Sequence, residues 1–439
     1  MDPLWLAVWS LPALLILIFL GVPIGLSMLA LGLGGCWAIY GSPIPLLNQL
    51  KTLAYGQLSS HSLSIIPLFL LMGQFASVGG LSQALFKAAE AFVGHRRGGV
   101  GIASIGACAS FGAICGSSMA TTATMAQVAL PELEKAGYAR ALSAGTLAAG
   151  GTLGILIPPS IVLVIYAILA EQNIAKLFVA AVVPGVVAIV GYILVISIIA
   201  RLRPGTVGGQ AEPVSWGLRW KALSVVWPVM LIFIALVGGI YVGVFTPTEG
   251  AAVGAVGTAI AAWARGGMTR AKVLQAFELT ASATAMVFMI VLGAAVYNIF
   301  LALSQMPQEL AGWVGQQGFS PYQILWAILI FYLIAGCFLD SLSMILLTIP
   351  IFFPMVSGLD FGLTPEETAI WFGILVLIVV EVGLITPPLG MNLFVIQSMA
   401  PHITTRDLYL GAYPFVISDL VRIVILVLVP SITLFILRL

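Results

Sequence analysis

Charge is what this chain lacks. Asp, Glu, Lys and Arg make up 8% of its 439 residues, where an ordinary soluble domain carries about 25%. The formal net charge is +1, which excludes the basic field that a nucleic-acid partner requires. There are three histidines, His61, His95 and His402. All fall in loops or at segment edges, so no proton relay through imidazoles is expected. Four cysteines are present, Cys36, Cys108, Cys115 and Cys337, each inside an apolar segment. They read as reduced, small, buried residues. Cys108 and Cys115 lie two helical turns apart, but no His or third Cys joins them, so no metal centre is expected. The chain has no Walker-type phosphate loop and no loop long enough to house a nucleotide domain. No basic run precedes the first apolar segment; Met1-Asp2-Pro3 leads straight into it, so it is expected to be an uncleaved span and not a signal peptide. Hydrophobicity fills the chain instead: 61% of residues are hydrophobic and the mean hydropathy is +1.14. This is the composition of an all-α, polytopic membrane protein.

Apolar runs long enough to cross hydrocarbon fall at 4–20, 22–39, 63–78, 141–170, 178–200, 223–244, 250–263, 283–303, 369–400 and 415–437. Two of them carry a Pro-Pro break, at Pro158-Pro159 and at Pro387-Pro388. Two further apolar segments, 100–130 and 324–356, are interrupted near their centres. Each offers two half-helices of about a dozen residues, too short to cross alone at about 1.5 Å per residue. They are expected to be re-entrant hairpins. Lys and Arg collect between Lys87 and Arg97, Lys135 and Arg140, Arg201 and Lys221, Arg265 and Lys272, and at Arg406. The other side keeps Lys51, Lys176 and Arg438. The positive-inside rule places the first set in the cytoplasm, with the first hairpin opening there, the second opening outside and both termini outside.

The pattern occurs twice. Pro23 and Pro247 stand 224 residues apart, as do Ser117 and Ser341, and the Pro-Pro pairs stand 229 apart. The extra residues fall in the loop 357–368 of the second half. Each half has an odd number of crossings, five, so a duplicated half must be inverted. The expected repeats are 1–210 and 211–439. Amphipathic stretches at 44–60 and 269–280 read as arms along opposite membrane interfaces.

Paired, Gly/Pro-interrupted apolar segments in corresponding places point to the binding site of a secondary transporter. A break at membrane depth frees backbone groups that lipid cannot satisfy, so it must line a cavity or bind something. In residues 112–124, Gly-Ala-Ile-Cys-Gly-Ser-Ser-Met-Ala-Thr-Thr-Ala-Thr, a helix beginning near Ser118 would present free N–H groups to an anion. The carbonyls that end the preceding half-helix would favour a cation. Facing it, 150–154 is Gly-Gly-Thr-Leu-Gly, and Pro158-Pro159 stops the helix and restarts it beside Ser160. Carbonyls and the Thr152 hydroxyl suit a hard monovalent cation such as Na⁺. The second half repeats the arrangement with Gly383, Thr386 and Gly390-Met391-Asn392. Four acids lie in apolar segments: Glu249, Asp340, Glu381 and Asp419. Such acids default to functional roles. Asp340 stands at a hairpin tip, where it can pair with a cation or a substrate hydroxyl. Glu381 precedes the second break. Asp419 has Arg422 three residues on, the spacing of an ion pair on one helix face. Glu249 lies near a membrane edge, either as an interface residue or with a role of its own.

The whole chain resembles the large membrane subunit of tripartite ATP-independent periplasmic (TRAP) transporters. The resemblance is carried by 112–124, by Leu-Pro-Glu-Leu-Glu-Lys-Ala-Gly-Tyr at 130–138, by Gly-Ile-Leu-Ile-Pro-Pro-Ser at 154–160, by Phe-Leu-Asp-Ser at 338–341, and by Gly-Leu-Ile-Thr-Pro-Pro-Leu-Gly-Met-Asn at 383–392. It implies Na⁺-driven uptake of an organic acid, such as a C4-dicarboxylate or a sialic or other sugar acid, by an elevator-like movement in a bacterial inner membrane. It implies a separate small four-helix membrane subunit and a periplasmic substrate-binding protein, and no cofactor besides the coupling ion. No fused small subunit is expected, because the given sequence leads directly into the first repeat. The implied Na⁺ sites fall at Ser117, Ser118, Thr152 and Gly154, and at Asp340, Ser341, Gly383 and Thr386. Substrate contacts are expected from Ser117, Ser118, Ser160, Asp340, Ser343 and Asn392. Two other readings compete. A Na⁺/dicarboxylate carrier that needs no binding protein resembles this architecture. A membrane-embedded enzyme would need a His or Lys beside Ser117 or Ser341 at membrane depth, and the sequence supplies none.

Overall fold

The computed structural model of the chain describes residues 2–42, 44–209 and 213–438. Every principal element is a helix. The first half comprises α1 (Pro3–Phe19), α2 (Ile24–Tyr40), α3 (Ile44–Leu58), α4 (Ile65–Val78), α5 (Leu81–Val93), α6 (Gly99–Cys115), α7 (Ser118–Lys135), α8 (Arg140–Leu156), α9 (Ile161–Leu169) and α10 (Ile174–Leu202). The second comprises α11 (Trp216–Tyr241), α12 (Pro247–Ala264), α13 (Arg270–Leu303), α14 (Met306–Gln316), α15 (Pro321–Gly336), α16 (Ser341–Ser357), α17 (Pro365–Gly383), α18 (Met391–Met399), α19 (Thr405–Leu428) and α20 (Pro430–Leu434).

Among the described residues, five helical stretches are long and apolar enough to cross a membrane unaided: His61–Val78, α10, α11, α13 and α19. The α8–α9 pair, bent by 44° at its break, makes a sixth. The ten expected crossings therefore also draw on shorter or more polar helices. α1 and α2, of 17 residues each, reach about 25 Å, just under the thickness of the hydrocarbon.

Several expected boundaries shift, each for a local reason. The hairpin arms run 99–115 and 118–135 in the first half, and 321–336 and 341–357 in the second. They are longer than a dozen residues, and α7 continues through Pro131 to Lys135. The arms of the two halves also differ. α3 is separated from α4 by a Ser/His-rich linker and a short 3₁₀ turn at His61–Ser64. The corresponding stretch at 269–280 instead runs on into the span as α13, a single 34-residue helix, because no proline or Ser cluster interrupts it. α5 and α14 are extra short helices before each hairpin. The last span ends at Leu428, since Pro430 disfavours a helical conformation at Val429 and restarts the chain as α20.

Two packing groups organise the molecule. In one, α2 runs along α13, and α4 packs on α12 and α13. In the other, α8 is enclosed by α6, α7 and α19, while α17 packs on α15, α16 and α19. The hairpin α6–α7 and the hairpin α15–α16 each lie against the broken helix of their own half. Backbones there approach closely. A Cβ on Gly112 would lie 2.5 Å from Gly154 Cα, and one on Gly383 would lie 2.5 Å from the Gly336 carbonyl carbon. Only glycine permits such contacts.

Candidate functional site

The two hairpin tips open into one cavity of about 850 Å³. Cys115 to Ala120 line one side, and Asp340, Ser341 and Leu342 another; the α1–α2 connection and α13 supply the facing wall. Of the expected site residues, Ser117, Ser118, Asp340 and Ser341 therefore share one chamber. Among the described residues that line it, Asp340 is the sole carboxylic acid, and no Lys, Arg or His appears.

Local chemistry explains the tips. α6 ends on Gly116, which adopts φ +63°, a left-handed conformation that glycine reaches without steric cost. Ser117 then caps α7, its hydroxyl accepting from Ala120 N at 3.5 Å. α7 begins at Ser118, where the sequence placed it. In the second hairpin Asp340 is the cap. Its carboxylate accepts from Leu342 N and Ser343 N, each at 3.2 Å, and from the Ser343 hydroxyl. The positive end of α16 thus offsets part of its charge. The first four amides of each helix have no intrahelical partner; the caps take up some of them, and the remainder stand beside the carbonyls that end the preceding arm.

The breaks face the tips. α8 stops at Leu156, and residues 157–160 bridge to α9. Helix does not resume on proline: Ser160 is the cap, its buried hydroxyl accepting from Leu163 N at 3.3 Å. α17 stops at Gly383, and residues 384–390 bridge to α18, which starts after Gly390. Both Pro-Pro bonds are cis. The Tyr409 hydroxyl donates to the Pro388 carbonyl, and the Thr386 hydroxyl donates to Val382 O at 2.6 Å. Gly154 sits directly against the first tip, its Cα direction aimed at the Ser117 carbonyl and Thr121 Oγ1.

The other expected residues, Thr152, Gly154, Ser160, Ser343, Gly383, Thr386 and Asn392, do not line the cavity. Thr152 is buried, and its single hydroxyl hydrogen has two acceptors in reach, Ala149 O at 2.7 Å and Tyr192 Oη at 3.1 Å. Ser160 is engaged as a cap. Asn392 does not line the chamber; its amide donates to Ser118 Oγ at 2.7 Å and to Ala148 O at 3.3 Å. It thereby joins the second broken helix to the first tip. Ser343 is held by Asp340.

Some residues of the site escaped the sequence reading. Thr121 and Thr122 are fully buried, with hydroxyls that find no hydrogen-bond partner among the described residues. Their signal was available: they follow Ser118 by three and four residues, on the same helix face. Tyr192 gave no signal, because its partners lie 40 and 227 residues away. Of the intramembrane acids, Glu249 forms a capping box with Thr246 at the start of α12. Asp419 pairs with Arg422 at 2.9 Å, both buried. His402 lies exposed, 2.7 Å from Glu134.

The family model of the tripartite ATP-independent periplasmic transporter, DctM component, matches residues 11–432. The chain belongs to this family. The C4-dicarboxylate TRAP transporter large permease protein DctM of Pseudomonas aeruginosa is 37% identical over 409 residues, which span 92% of this chain and 93% of that protein. The ectoine TRAP transporter large permease protein TeaC of Halomonas elongata is 30% identical, over 95% of this chain and 96% of that one. The crystal structure of the YdaH transporter of Alcanivorax borkumensis superposes with a TM-score of 0.60 at 15% identity, covering 97% of this chain and 98% of that one; at that identity the likeness concerns the fold. A DctM-family chain is a multi-pass transport permease and not a catalytic enzyme. The family assignment also removes the membrane-embedded enzyme from the competing readings.

Proposed function

We propose that this DctM-family chain is the permease of a Na⁺-driven importer of a small organic acid, working by an elevator-like movement of one helix group against the other. The observation that carries this reading is the shared cavity. Two hairpin tips, each offering helix-start amides and helix-end carbonyls, converge on one chamber with a single acid and no basic side chain. An anion entering it would meet no basic side chain, so it requires a cation beside it, and oxygen-rich tips suit Na⁺. Gly154 and Thr121 at the first tip, and Gly383 and Thr386 at the second break, are the further groups proposed to hold the ion. The family's description as one component of a tripartite system supports a small membrane subunit and a periplasmic binding protein as partners.

The inverted-repeat reading belongs to this proposal. Its support is that the helix order runs twice, with short helices α5 and α14 before hairpins α6–α7 and α15–α16, then broken pairs α8–α9 and α17–α18, then long α10 and α19. Inversion, together with the Lys/Arg distribution, would put both termini on the periplasmic face of an inner membrane. The nature of the acid stays open, since the relatives named above carry solutes as different as C4-dicarboxylates and ectoine. The test is uptake in proteoliposomes by this chain together with its binding protein and small subunit. An inward Na⁺ gradient should drive uptake and a K⁺ gradient should not. Uptake by this chain alone would favour a carrier without a binding protein, and equal uptake with K⁺ would remove Na⁺ from the account.

A further inference from the structure

Away from the cavity, a buried polar chain links three helices, with a fourth beside it. The Thr152 hydroxyl on α8 meets Tyr192 Oη on α10 at 3.1 Å. Tyr192 donates to Asp419 Oδ2 on α19 at 2.7 Å. Asp419 Oδ1 stands 2.9 Å from Arg422 Nη2. Glu381 on α17 is buried beside them, close enough for its charge to act on Arg422, yet both its carboxylate oxygens lack a hydrogen-bond partner among the described residues. A buried ion pair is a poor source of stability, because desolvation consumes most of its Coulomb gain. At membrane depth such groups are costly and point to function. The chain ends on Thr152, two residues before the Gly154 that faces the first tip, and one turn before the break.

We propose that Tyr192, Asp419 and Arg422 are positioning residues for the cation site at the first helix break. They do not line the cavity. They fix the last turns of α8 to α10 and α19, so that the carbonyls released ahead of Pro158 keep their places opposite Ser117. By the register of the two Pro-Pro pairs, the counterpart of Thr152 is Glu381, which is not tied in this way. The arrangement therefore favours the first break as the better-formed of the two. This inference rests on the proposed Na⁺ coupling.

The test is the Na⁺ dependence of uptake by the complete transporter in proteoliposomes. Tyr192→Phe removes one oxygen. It should raise the Na⁺ concentration for half-maximal uptake on the order of tenfold, the loss of one hydrogen bond to a buried charged group, while leaving the maximal rate at saturating Na⁺ within about twofold. A purely structural role would lower the amount of active protein and leave half-saturation unmoved. Tyr332→Phe is the control. It removes the same atom from an equally buried Tyr–Thr bond, 2.6 Å to Thr348, and should leave Na⁺ dependence as in the wild type. The paired substitution Asp419→Asn with Arg422→Met removes both charges together and should shift half-saturation in the same direction as Tyr192→Phe. Unchanged Na⁺ dependence in both altered proteins, or an equal shift in Tyr332→Phe, overturns the proposal. A wild-type transporter indifferent to Na⁺ overturns the coupling reading and this inference with it.

Discussion

The two helix breaks are built from the same words and held differently. The first is four residues long, 157–160, and Pro158, Pro159 and Ser160 are all buried. The second is seven residues long, 384–390, and Pro387 and Pro388 are exposed. Ahead of the first, Thr152 is anchored through Tyr192 to Asp419; ahead of the second, Glu381 has no hydrogen bond to its carboxylate among the described residues. The tips show the reverse trend. Asp340 gathers two amides and a hydroxyl at the second tip, whereas Ser117 makes one long capping bond at the first. Each half thus combines one firmly held partner with one loosely held partner: a firm break with a light tip, and a firm tip with an open break. A cation bound between tip and break would complete the loose member in each case.

The largest expected effect comes from breaking the clasp behind the first break. Arg422→Ala leaves Asp419 and Glu381 buried without their cation. It should destabilise the protein by about 3–5 kcal/mol, read as a fall in the thermal unfolding midpoint of the purified chain. A fall no larger than that of an exposed pair such as Lys176–Glu366, worth about 1 kcal/mol or less, would show that the clasp holds nothing.

Next come the close approaches. Gly154→Ala and Gly383→Ala each drive a methyl group into backbone, at 2.8 Å from the Ser117 carbonyl oxygen and 2.5 Å from the Gly336 carbonyl carbon. Each should cost about 1–3 kcal/mol through overpacking and abolish most uptake. If Gly383→Ala is tolerated while Gly154→Ala is not, the second break is looser than its contacts indicate, which sharpens the comparison.

Much of this was legible in the sequence. The Pro-Pro pairs and hydroxyl clusters marked both breaks and both tips, because proline and N-cap preferences act within a few residues of themselves. The Asp419–Arg422 pair followed from helix spacing. What could not be read was long-range: Asn392 meets Ser118 across 274 residues, and Tyr192 reaches Asp419 across 227. Side-chain direction on a buried helix has no local signal when every face is apolar. For the same reason Thr152 was placed among ion ligands by its position, while its hydroxyl is turned to α10.

The smallest effects are expected from single hydroxyls. Thr386→Val removes a group that bonds only back to the end of α17, 2.6 Å to Val382 O. Thr152→Val removes one that also ties two helices. Both should raise the Na⁺ concentration for half-maximal uptake, Thr152→Val by more, with a difference of about 1 kcal/mol for the additional bond. Equal shifts would mean that the Tyr192 contact adds nothing to ion binding.

The unequal readiness of the two breaks is tested most directly by cysteine accessibility at register-equivalent positions. Pro159→Cys and Pro388→Cys make the same change on either side. With an impermeant maleimide in membranes opened to both faces, a cysteine at 388 should react without Na⁺ and be protected by it. A cysteine at 159 should stay unreactive in both conditions. Equal labelling of the two, or labelling at 388 that ignores Na⁺, would contradict the account.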